Sequence, residues 1–183
     1  MNKSKLLITI GLIVLAVLSR ILPHPLNFSP IGAVAIFSAM HLNKRVSFLI
    51  PFLSLWLSDF VLNNWFYHQF YQGSANSIVW FANEWVYIAF AVIYLLTLLI
   101  KFKVKVSNLV IASLTSSVVF FLLTNFGVWL SGFYPMTASG LVACYTAALP
   151  FFQNTLLGDL FYVSVLFGIY EWYSRTFTAL KSA

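Results

Sequence analysis

The sequence predicts an all-α, polytopic membrane protein with six transmembrane helices, the second one short, in a single domain over residues 1–183. Three observations predict it. First, 61% of the residues are hydrophobic and 8% are charged, with a mean hydropathy of +0.92; a soluble globular chain is about half apolar and about a quarter charged. Second, the apolar residues fall in long continuous runs rather than alternating ones, which selects helices over a barrel. Third, the basic residues cluster between alternate runs, the pattern that orients a multi-span chain.

The runs follow in order. The first, about 5–22, has the basic start and apolar core of a signal peptide, "MNKSKLLITIGLIVLAVLS". It lacks a clean small-x-small cleavage site and reads as a retained helix. "RILPHPLNFS" then breaks the chain, with Pro23 and Pro25 holding it extended. Ser29 as N-cap and Pro30 at the first helical position start the second helix, about 30–42. That helix is well short of the roughly 20 residues of a comfortable span, and Gly32, Ala35 and Ala39 keep one side of it slim. After the Asn43-Lys44-Arg45 turn, the third helix, about 46–63, contains Pro51, which predicts a kink. The fourth covers about 78–100, the fifth about 107–131 and the sixth about 153–175. Between the last two, residues 140–149 are apolar enough for a separate short helix in the interface.

Charge settles whether the short helix crosses. If it does, and the N-terminus is cytoplasmic, nine of the ten basic residues lie inside: Lys3, Lys5, Lys44, Arg45, Lys101, Lys103, Lys105, Arg175 and Lys181. Only Arg20 faces outward. A re-entrant second helix would put the 44–45 pair and "KFKVK" on opposite sides. Both termini are therefore expected in the cytoplasm. The net charge of +6 reads as topology and not as a nucleic-acid surface.

On that topology Asp59, Glu84, Asp159, Arg20 and Asn125 form a layer within roughly 10 Å of the outer ends of their helices. Five of the six tryptophans, Trp56, Trp65, Trp80, Trp85 and Trp129, share that half. Charge inside a membrane is costly and faces the bundle interior or a wet cavity. The expected site is thus an outward-open cavity with Arg20, His24, Asn27, Asp59, Glu84, Trp85, Asn125 and Asp159 on its walls. Its summed charge of −2 would suit a cationic or amide-rich ligand. An interfacial tryptophan belt, and a structural pairing of Arg20 with Asp59 or Asp159, would explain part of the same pattern. Glu171 is expected to pair with Arg175 one turn away. Cys144 cannot form an internal disulfide, and there is no cysteine pair, His-x-x-x-His or H-E-x-x-H, so no resident metal is expected. His24 or Cys144 could ligate a metal that arrives on a substrate. No G-x-S-x-G, Walker A or dinucleotide motif is present, so neither an enzyme nor a bound cofactor is expected.

"RILPHPLNFSPIGAVAIF", "LSLWLSDF" and "GLVACYTAALPFFQNTLLGDLFY" together resemble a family of small bacterial membrane proteins described as transport proteins, across nearly the whole chain. That family is similar to the substrate-binding S components of energy-coupling factor vitamin transporters. The resemblance implies six helices, a ligand pocket near the outer face, a bacterial inner-membrane location and a vitamin-like substrate, with cobalamin favoured. It also implies either an energy-coupling membrane subunit with ATPases as a partner or, as in solitary members such as the cobalamin-specific ones, no dedicated partner. S components carry an Ala-x-x-x-Ala docking pattern on the first helix, where this chain has Gly11, Leu15 and Ser19. Two other readings compete with capture of a solute. One is an intramembrane enzyme acting on a lipid or cofactor through Asp59, Asp159 and His24. The other is a structural or assembly subunit whose polar layer only sets helix register.

Overall fold

A computed structural model describes residues 3–66, 78–81, 83–100 and 104–179. Its secondary structure is helical throughout among these residues. Six helices follow one another: α1 (Lys3–Ser19), α2 (Ile31–His41), α3 (Lys44–Val61), α4 (Glu84–Ile100), α5 (Val106–Leu130) and α6 (Ala138–Ala179), with a π-helical turn, Leu62–Phe66, extending α3. Three stretches, Val46–Trp65, Val106–Leu130 and Ala138–Thr176, are long and apolar enough to cross a membrane, and α1, α2 and α4 contain shorter apolar helices. The chain is a membrane protein by these lengths and compositions. His68 with most of the 63–77 loop, Lys101, Lys103 and Lys181 lie outside the described residues.

The short second helix is the hub. All eight residues from Ile31 to Ser38 are buried, and α2 packs against each of the other five helices. A helix apolar on every side belongs inside protein, and its small residues let the neighbours close in. Ser29 Oγ accepts from the Ile31 N–H at 3.4 Å, and Val34 N–H bonds Pro30 O at 2.9 Å. The helix thus starts one residue later than expected: Pro30 stands at the N-cap and Ile31 is the first helical residue, with Ser29 just outside instead of capping it. Towards its C-terminal end, Phe37 meets Phe167 and Tyr170 edge-on and stacks on His41. This aromatic cluster closes that end of the bundle.

Two boundaries differ from the sequence reading. The fourth helix begins at Glu84, not near 78, because Asn83 caps it: its Oδ1 accepts from Trp85 N–H at 2.9 Å. The separate 140–149 helix does not exist. Residues 138–179 form one helix of 42 residues that runs through Pro150. The proline removes one donor from the helix ladder, but α5 bridges the joint. The Phe121 ring contacts Tyr145 before the proline and Phe152 after it, with centroids 5.5 and 5.0 Å apart. Tyr145 also donates to Leu122 O at 2.6 Å. The 131–137 connection is fixed by Gly132 (φ +80°), by Trp129 Nε1 donating to Pro135 O, and by Thr137 Oγ1 capping the Gly140 N–H. Pro51 sits inside α3, and Glu171 pairs with Arg175 at 3.6 Å.

Candidate functional site

α2 is too short to match the length of its neighbours, and the space above its N-terminus becomes a cavity of about 620 Å³. The floor is Gly32 with Ser116 of α5 and Asp159 of α6. The walls are the end of α1, the turns of α3 and the π-helical segment around Asp59 and Asn63, the start of α4 at Asn83 and Val86, and Thr155 of α6. Residues 21–29 form the rim. A second cavity of about 600 Å³ between α5 and α6 is walled by Val, Leu and Phe side chains together with Ser113, Ser164, Lys105, Glu171 and Arg175.

Two polar ties hold the cavity. Arg20 Nη1 binds Asp59 Oδ1 at 2.6 Å and donates to Ser58 Oγ at 2.6 Å. These side chains are 17% and 9% exposed, so the pair is mostly dry and links α1 to α3. Tyr87 of α4 donates to Asp59 Oδ2 at 3.4 Å. The second tie is Asp159, buried in α6, which accepts from Ser117 Oγ of α5 at 2.8 Å. Asp159 Oδ1 and Ser116 Oγ both press on the bare Cα of Gly32, where a Cβ would overlap them. Gly32 therefore permits the close approach of three helices.

The rim is a built loop. Phe28 N–H bonds Pro25 O at 3.0 Å, closing a turn in which Asn27 takes φ 65°; asparagine tolerates that left-handed backbone better than most residues. Asn154 of α6 donates to Leu26 O at 3.0 Å, and Phe28 packs on Phe161 and Tyr162. Gly158 faces Phe28 and Ser29 so closely that a Cβ there would come within 3.1 Å of Ser29 N. His24 directs both ring nitrogens at carbonyls, Nδ1 to Pro25 O (2.9 Å) and Nε2 to Arg20 O (3.0 Å).

Of the residues expected on the site, Arg20, His24, Asn27, Asp59 and Asp159 come together on this cavity. Glu84, Trp85 and Asn125 are not among its lining residues. Glu84 is the exposed first residue of α4, where a carboxylate complements the helix dipole. Trp85 lies across Gly127 and against Phe126, packing α4 on α5. Asn125 donates back to Phe121 O along its own helix. Cys144 is buried against Asn125 O and does not line the cavity with His24. No cluster of three potential metal ligands occurs among the described residues. Ser116, Asn63, Asn83, Thr155 and the Gly32 contact were not legible in sequence as site features. A small residue flanking the short helix and a Ser-Ser pair in α5 were the available signals.

Over residues 1–180 the chain matches DUF6580, a family of unknown function. The chain belongs to this family. No curated protein and no solved structure matches it. For this DUF6580 protein the cavity geometry is accordingly the basis for a functional reading.

Proposed function

We propose that this DUF6580 protein is a membrane transport protein that captures a small, vitamin-like solute from outside the cell. In this reading six helices cross a bacterial inner membrane, α2 crossing only with the help of the 21–30 segment, and both termini are cytoplasmic. Nine of the ten basic residues then obey the positive-inside rule, and the cavity opens outward. The observation that carries the reading is the cavity itself: about 620 Å³, in the size range of small-molecule sites, with Leu62, Val86, Phe90 and Phe120 among its lining and a few fixed polar groups beside them. Irregular backbone at membrane depth is tolerated where it lines such a space. Movement of the solute then needs toppling of the whole bundle or an energy-coupling partner with ATPases.

Cobalamin belongs in the panel of solutes. Its cobalt could reach the His24 imidazole only if that ring left one of its two carbonyl contacts. Native mass spectrometry of the protein extracted from membranes, with thermal shift against a vitamin panel, tests the reading. The expected outcome is a retained solute or a stabilising shift. Absence of both would remove the capture reading. It would favour the structural alternative, which draws support from the way Arg20–Asp59 and Asp159–Ser117 each join different helices.

A further inference from the structure

We propose that the cavity floor seats a protonated nitrogen of the solute, with Asp159 as its counter-ion and Ser116 as the hydroxyl beside it. The inference rests on the capture reading and narrows the solute to a cation. Charge bookkeeping on the lining starts it. Arg20 and Asp59 face each other at 2.6 Å and cancel, which leaves Asp159. Among the described residues, no cationic group lies in ion-pair contact with Asp159.

The donors around the carboxylate are weak ones. Ser117 has one hydroxyl proton, and its Oγ also lies 3.0 Å from Ser113 O; Ser116 is the other hydroxyl beside it. One proton cannot fully serve both acceptors. The start of α2 lies against Oδ1 through Gly32, and a helix start contributes only about half a positive charge. Next to it, Ser116 Oγ is buried, with the residue 1% exposed; it interacts with the Asp159 carboxylate but reaches no well-formed hydrogen bond with any described residue. Buried polar groups in native proteins are nearly always partnered, and an exception points to a missing ligand or water. An N–H-bearing cation entering from the cavity would supply what both groups lack, a charge for Asp159 and a donor for both oxygens. With a neutral or anionic solute the buried Asp159 would have to be neutralised by a proton instead.

The test uses the full chain in nanodiscs. It combines native mass spectrometry of co-purified solutes with binding assays on matched amine–alcohol pairs: tyramine against tyrosol, and phenethylamine against 2-phenylethanol. Supporting results are bound solutes that carry a protonated nitrogen, a loss on the order of 100-fold for Asp159→Asn, and a loss of about 5-fold for Ser116→Ala. Ser116→Ala removes one small hydroxyl that makes no well-formed hydrogen bond, so this variant should fold, and it decides the matter if Asp159→Asn does not fold. Unchanged affinity in Ser116→Ala, a neutral or anionic solute bound as tightly as a cation, or binding that requires sodium regardless of solute charge would each overturn the seat while leaving capture intact. Retention of no solute, with no response to any pair, would overturn the capture reading and the seat with it.

Discussion

Gly32 concentrates the residue-scale physics of this molecule. A methyl group there would overlap the Asp159 carboxylate and the Ser116 hydroxyl, so Gly32→Ala should cost about 1–3 kcal/mol by overpacking. Removing the obstacle should recover part of that. In thermal unfolding, Gly32→Ala/Asp159→Ala should be less destabilised than the sum of the single variants; strict additivity would mean that the two residues are not in contact. The Arg20–Asp59 pair makes a different prediction. Arg20→Met leaves a mostly buried carboxylate without its cation and should lower stability by about 3–5 kcal/mol. Arg20→Met/Asp59→Leu should regain most of the loss. At this scale the sequence was a good guide to charge and a poor one to contact. Arg20, Asp59 and Asp159 stood out because ionisable groups in apolar runs are rare. Ser116 and Thr155 did not, because hydroxyls in membrane helices commonly bond their own backbone, as Thr155 does with Phe151 O. Glu84 and Asn125 were misplaced for lack of a helix boundary and a side-chain direction, which only packing supplies.

Among the elements, α6 departs furthest from the sequence reading. A proline normally argues for a helix end, and Pro150 suggested two helices where there is one. The continuity comes from α5, and above all from Phe121. Phe121→Ala should therefore destabilise the protein by about 2 kcal/mol or more, whereas Pro150→Ala should be neutral or stabilising in the same thermal unfolding assay. If Pro150→Ala were the more damaging of the two, the proline would be shaping the helix rather than being carried by it. The 25–29 turn depends on α6 in the same way. Gly158 gives it room, and Asn154 holds it. The Pro-rich break was legible as a break, with Ser29 and Pro30 as the restart. That a helix 128 residues away in sequence supports it was not, since nothing local records the contact.

For the whole molecule, the all-helical class and the six main helices followed from apolar run length, except that the expected 140–149 helix is part of α6; of the ionisable groups in the expected layer, Arg20, Asp59 and Asp159 line the cavity. The direction of the cavity is open to a simple measurement. In a Cys144→Ser background, Met136→Cys lies in the α5–α6 connection and Val104→Cys just before α5, both exposed. A membrane-impermeant maleimide applied to intact spheroplasts should label position 136 and leave position 104 unlabelled until the membrane is opened. The reverse pattern would invert the proposed orientation. The hub position of α2 has a consequence for biogenesis. Eleven residues make a helix about 16 Å long, half of the roughly 30 Å hydrocarbon layer, so α2 cannot settle into lipid by itself when it leaves the ribosome. It must wait, paired with α3, until α4, α5 and α6 have been synthesised and can close around it. The cavity floor is therefore assembled last, by the final helix to emerge, because Asp159 arrives with α6.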